Sequence, residues 1–116
     1  MNKIEEFKEE VRKNINNLKE DDHLKSISVD WIKEVSKHNY SYNFTWLGRP
    51  IIQFPQDIMA MQEIIWSVKP DLIIETGIAH GGSLIFYASM LELIGEGLVI
   101  GIDIDIREHN KIEIIS

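Results

Sequence analysis

Between Asp71 and Asp103 the chain alternates in a way that few folds accommodate. The apolar run Leu72-Ile-Ile74 passes into Glu75-Thr-Gly77 and a glycine-bearing turn, Ile78-Ala-His80-Gly81-Gly82-Ser83. A helix-length segment follows to Ile94, then Gly95 and Gly97, then a second apolar run, Leu98-Val-Ile-Gly-Ile102, ending in Asp103. Short, β-branched runs separated by a helical stretch predict parallel strands joined by a crossover helix, which parallel pairing requires. Leu72 to Ile74 reads as a strand buried on both faces. The stripe Leu84, Tyr87, Ala88, Leu91 and Ile94 marks the apolar side of the helix, which the glycines end.

Residues 3–20 predict an amphipathic helix, because Ile4, Phe7, Val11, Ile15 and Leu18 recur at steps of three and four. Asn2 with Glu5 has the spacing of a capping box. The stripe docks on its own domain in the simpler reading, or on a second subunit, making a homo-oligomer. Asp21-Asp22-His23 ends this helix, and a shorter one is expected over Ser26 to His38. From Asn39 to Gln56 the chain turns aromatic and irregular, and Gly48, Pro50 and Pro55 argue against a continuous helix or central strand. Its tyrosines and tryptophan cover the core or, less simply, form a ligand lid. Pro55-Gln-Asp57 opens a helix whose apolar face is Ile58, Met61, Ile64, Ile65 and Val68, and Pro70 stops it. The expected organisation is a helical segment over 1–38 and an α/β segment over 39–116.

With 116 residues and 44% hydrophobic content, the chain fits one small globular domain. A formal charge of −7 disfavours a nucleic-acid partner. The absence of cysteine excludes a disulfide frame and a thiolate zinc site. The charged N-terminus lacks the apolar core of a signal peptide, no run is long enough to span a bilayer, and a cytoplasmic location is the default expectation.

In open parallel sheets ligands bind beyond the carboxyl ends of the strands, where Glu75, Gly77 and Asp103 fall. Gly77 permits positive φ and close approach of a ligand to the backbone. Gly81 and Gly82 give a tight entry into the helix, whose free amides face the site. Ser83 caps those amides or donates to a ligand. Asp103 lies 26 positions beyond Gly77, near the place where an acid in such folds accepts ribose hydroxyls. The spacing departs from G-x-G-x-x-G, and an acid before the first glycine repels a pyrophosphate. It suits a cofactor with an ammonium group and a positive centre, such as S-adenosylmethionine. A nicotinamide-dependent oxidoreductase and a non-catalytic interaction module are the alternatives.

Trp46-Leu-Gly-Arg-Pro50, Gln53-Phe-Pro-Gln-Asp57, Gln62-Glu-Ile-Ile-Trp66, Pro70-Asp-Leu-Ile-Ile-Glu-Thr-Gly77, His80-Gly-Gly-Ser83 and Gly101-Ile-Asp-Ile-Asp105 together resemble the cephalosporin hydroxylase family, which includes rhamnosyl O-methyltransferase-like proteins. The resemblance covers about Ser41 to Asn110. It implies the N-terminal part of a Rossmann-like, S-adenosylmethionine-dependent methyltransferase fold: N-terminal helices plus one β-α-β unit. The implied reaction of the complete protein is O-methylation of a saccharide or related small-molecule hydroxyl. By motif, Glu75, Gly77, Gly81 and Ser83 would lie around the methionine part of the cofactor, with His80 near it and Asp103 on the ribose. The resemblance also implies a divalent metal, magnesium, on acids of later strands. Those ligands are not expected within this chain, which is read as truncated or a fragment, with no turnover alone and no assignable catalytic residue. Asp103, Asp105, Glu108 and His109 imitate a metal cluster only by composition. The tail, Ile112 to Ile115, is expected to form a short strand or part of a helix.

Overall fold

The computed structural model describes residues 2–108. Contacts divide them into one unit ending at His38 and another starting at Asn39. The first unit holds α1 (Lys3–Glu20) and α2 (Asp22–Ser36). Asn2 caps α1 through a capping box: its side chain accepts from the Glu5 amide at 2.9 Å, while its own amide donates to Glu5 Oε2. Asp21 closes α1 and opens α2, since its carboxylate accepts from the Leu24 amide at 2.9 Å. The second helix therefore begins four residues before the Ser26 start expected from sequence (26 − 22 = 4). Neither helix contains a buried residue. Ile4, Phe7, Ile15 and Leu18 of the α1 stripe are all more than half exposed.

The second unit begins with a short helical turn, Tyr40–Tyr42, followed by an antiparallel hairpin of β1 (Phe44–Trp46) and β2 (Arg49–Ile51). Leu47 and Gly48 form its two-residue turn, both with positive φ (46° and 81°), the backbone that matches strand twist in tight hairpins. Then come α3 (Pro55–Val68), β3 (Leu72–Thr76), α4 (Gly82–Ile94) and β4 (Leu98–Ile102). Pro55 sits in the first turn of α3, and Lys69 ends that helix in a left-handed conformation. β3 and β4 pair in parallel, with Leu72 opposite Leu98 and Thr76 opposite Ile102.

Helix α4 is the centre of the packing. Phe86 is fully buried and clusters with Ile51, Ile65 and Tyr87, against which Trp46, Met61, Ile73 and Val99 also pack. The Trp46 ring meets Phe86 edge-on at 4.8 Å, and its indole N–H donates to Ser89 Oγ. The aromatic segment therefore contributes to the core. The strands are covered on one face only. Leu72, Ile74, Leu98, Ile100 and Ile102 stay exposed on the other, which corrects the expectation of a β3 strand buried on both faces. The uncovered face follows from having α3 and α4 as the only packed helices of this unit among the described residues. The Ile112 to Ile115 expectation lies outside the described residues.

Candidate functional site at the end of the parallel strands

Strand β3 runs on to Thr76, so Glu75 is the penultimate strand residue and not its tip. Side chains alternate along a strand, and Glu75 shares the covered face with Ile73. Its carboxylate is consequently half-buried, and Oε2 is buried with no hydrogen-bond partner. Burial penalises the charged form and pushes the Glu75 pKa from 4.5 up to about 7.

Glu75, Gly77, His80 and Ser83 line one pocket of about 300 Å³, together with Gln53 and Tyr87. Gly77 has φ of 79° and nothing within 4 Å of where a Cβ would stand, so its backbone is open to a ligand. Gly81, with φ of 82°, is the N-cap of α4 and offers no side-chain cap. Ser83 does not cap the helix; its Oγ accepts a hydrogen bond from Gln53 Nε2 at 3.1 Å. The Gln53 side chain also hydrogen-bonds Tyr87, whose pKa is raised by burial and then by the nearby Glu75 charge. Gln53 and Tyr87 were not singled out as site residues from sequence. Gln53 lay within a family-like motif and Tyr87 within the helix stripe, yet no spacing rule joins residues 30 or more apart.

Asp103 and Gly81 stand beside this pocket, outside its walls. Asp103 Oδ2 accepts from the Ile78 amide at 2.9 Å and Oδ1 from the Asp105 amide at 3.2 Å. Backbone N–H donors, led by those of Asp105 and Ile78, hold its pKa below the ordinary value. The Gly77 amide donates to the Ile102 carbonyl at 2.8 Å, so two successive amides of the turn are anchored to the end of β4. His80 is flanked by two arginines. Arg49 donates to its carbonyl at 3.4 Å, and Arg107 Nη1 lies 2.9 Å from its ring Nε2. Among the described residues no group of three His, Asp or Glu side chains is placed to hold a metal. His109, part of the compositional cluster, lies outside them. No described helix is long and apolar enough to cross a membrane.

A parallel strand pair joined by a helix, with a glycine turn after the first strand, defines a mixed α/β unit. The sequence model of the rhamnosyl O-methyltransferase/CmcI family matches residues 38–116, and the chain belongs to that family. A rhamnosyl O-methyltransferase of Mycobacterium leprae (strain TN) is 33% identical over 72 residues, covering 60% of this chain and 31% of that protein. The match thus spans about a third of its relative's length. No solved structure matches.

Proposed function

We propose that this chain is the cofactor-binding part of an S-adenosylmethionine-dependent O-methyltransferase. The observation that carries the reading is the unpartnered, buried Oε2 of Glu75 at the wall of the pocket after β3. A carboxylate held without a partner is costly unless a cation or donor completes it. An amino-acid ammonium fits that need, and the phosphates of a dinucleotide do not. S-adenosylmethionine, when bound, supplies a methyl group on a positively charged sulfur, open to attack by an acceptor hydroxyl.

The chain's own residues then have distinct tasks. Glu75 holds the ammonium through its free oxygen. Gly77 lets the ligand lie against the backbone, and Gly81 leaves the first amides of α4 uncovered by a side-chain cap. Ser83, fixed by Gln53, and His80, flanked by Arg49 and Arg107, border the same space. Asp103 already accepts the backbone N–H groups of Asp105, Ile78, Ile104 and Ala79, about as many as the four acceptor sites of an ionised carboxylate, so it shapes the turn beside the pocket. The saccharide acceptor is supported by the name of the mycobacterial relative, and the acceptor and any metal belong to the complete protein.

Calorimetric titration with S-adenosylmethionine and, separately, with a nicotinamide dinucleotide tests the reading. Binding of the first, weakened about ten-fold or more by Glu75→Gln, is expected. Preference for the dinucleotide, or indifference to Glu75→Gln, would refute it.

A further inference from the structure

Gln53 sets the direction of the hydrogen bonds in the pocket after β3. Its amide nitrogen donates to Ser83 Oγ at 3.1 Å. The same side chain hydrogen-bonds Tyr87, and it does so as a donor, since the bond favours the charged phenolate. A side-chain amide nitrogen carries two N–H groups, so both are engaged. A hydroxyl offers one O–H and two acceptor sites. Ser83 and Tyr87 each accept from Gln53, which leaves each O–H to be donated elsewhere. Among the described residues these two hydroxyls have no hydrogen-bond partner other than Gln53. Tyr87 is only 8% exposed and Ser83 is half-buried, and both line the pocket with Gln53 and Glu75.

Two acceptors face the same space. Glu75 Oε2 is buried without a partner, and Gln53 Oε1 still has its lone pairs because the amide nitrogen does the donating. Two O–H donors beside two acceptors make a selective set. A bare amine would complete Glu75 and leave both hydroxyls desolvated without an acceptor, which is costly. A bare carboxylate would take both O–H groups but meet the Glu75 charge, which repels it. An α-amino acid carries ammonium and carboxylate on one carbon and answers both demands. Hydrogen bonds from O–H to an ionised carboxylate are short and strong. The first turn of α4, which holds Ser83 and has no side-chain cap, adds partial positive charge that favours the same carboxylate.

We infer that Gln53 is the positioning residue of an α-carboxylate subsite: by donating to Ser83 and Tyr87 it turns both hydroxyls into donors for the carboxylate of the amino-acid group whose ammonium Glu75 holds. The inference rests on the S-adenosylmethionine reading and extends it by naming the part of the cofactor that the pocket selects.

Calorimetry of the whole chain with S-adenosylmethionine and with its decarboxylated analogue, which keeps the ammonium, gives the test. The wild type should bind the intact cofactor about ten-fold or more tightly than the analogue. Ser83→Ala and Tyr87→Phe should each shrink that ratio about three-fold or more, by loosening the intact cofactor and leaving the analogue little changed. Gln53→Glu is the most telling variant. Its new carboxylate accepts from both hydroxyls and repels the carboxylate of the ligand, so the preference should vanish or reverse towards the analogue. A merely structural role for Gln53 would weaken both ligands alike and keep the ratio. Glu75→Gln should weaken both, because both carry the ammonium. Far-ultraviolet circular dichroism reports whether each variant keeps its fold. Equal wild-type affinity for the two ligands, or a ratio that Gln53→Glu leaves unchanged, overturns the inference while the methyltransferase reading stands. Failure of both ligands to bind overturns the two together.

Discussion

The Asp103 carboxylate accepts a hydrogen bond from the Ile78 amide at 2.9 Å, across 25 positions of sequence. This bond joins the end of β4 to the turn that follows β3. It makes the acid part of the scaffold that shapes the turn.

Replacing Asp103 with alanine is expected to loosen the turn and weaken S-adenosylmethionine binding about ten-fold or more, read by calorimetry. The pH dependence has a definite sign. The folded-state pKa lies below its ordinary 3.8, because N–H donors from Asp105, Ile78 and neighbouring residues favour the charged form. The contribution is therefore present above that value and lost as pH falls through the depressed folded pKa. The melting-temperature gap between the wild type and Asp103→Ala should be full at neutral pH and close on acidification. A gap that widens in acid would refute the assignment.

Glu75 has the opposite sign. Its pKa rises from 4.5 to about 7 on folding, so the folded protein holds a proton that the unfolded chain has released. This loss of stability is absent below 4.5, grows as pH rises towards 7 and is complete above it. Glu75→Gln should therefore stabilise the protein by about 1 kcal/mol at alkaline pH, the full shift being discounted for a half-exposed group. It should have little effect in acid. Urea unfolding at both ends of the range checks this. Ligand binding should go the other way: wild-type affinity for an ammonium-bearing cofactor rises with pH through about 7, and Glu75→Gln flattens that profile.

Gly77 and Gly82 answer to different constraints. A Cβ on Gly82 would collide with the Pro50 carbonyl oxygen and stand 2.7 Å from Ile51 Cα, forcing α4 off β2. Gly82→Ala should cost about 1–3 kcal/mol, as overpacking does. At Gly77 a Cβ meets nothing within 4 Å, but φ of 79° strains any other residue by about 1–2 kcal/mol. Gly77→Ala should therefore lose more cofactor affinity relative to stability than Gly82→Ala. Thermal unfolding alongside binding separates the two, and equal ratios would show that Gly77 plays no part at the ligand.

What could be read in advance followed local rules. Helix α4 and strand β4 lie at the residues expected, because Gly95 ends the helix and Gly97 precedes the strand, although the expected stripe omitted Phe86, the fully buried side chain of α4. Pro55 and Pro70 likewise bound α3 as their missing amide and fixed φ require. The β1–β2 hairpin was not legible, since Gly48 and Pro50 read as breakers although they suit a tight turn and a short edge strand. The start of α2 was misplaced because Asp21 serves two helices at once. Long-range geometry was illegible for a different reason. Gln53 reaches Ser83, and Tyr87 shares the Glu75 pocket, only after β2, β3 and α4 have packed together.

Gln53 provides the sharpest check of that packed arrangement. Its amide donates to Ser83 Oγ at 3.1 Å and its side chain also hydrogen-bonds Tyr87. Burial and the adjacent Glu75 charge raise the Tyr87 pKa, while the Gln53 hydrogen bond acts to lower it. Gln53→Leu keeps the approximate bulk and removes the donor, so Tyr87 should ionise at still higher pH. Tyrosinate absorbance, referenced to Tyr87→Phe to isolate this ring from the other two tyrosines, measures the shift. Stability should fall by about 1 kcal/mol, the net value of a typical hydrogen bond. Gln53→Glu adds a negative charge beside Glu75 and should raise the Tyr87 pKa further by repulsion of the phenolate. If Gln53→Leu leaves the Tyr87 titration unchanged or moves it downward, Gln53 is not its donor.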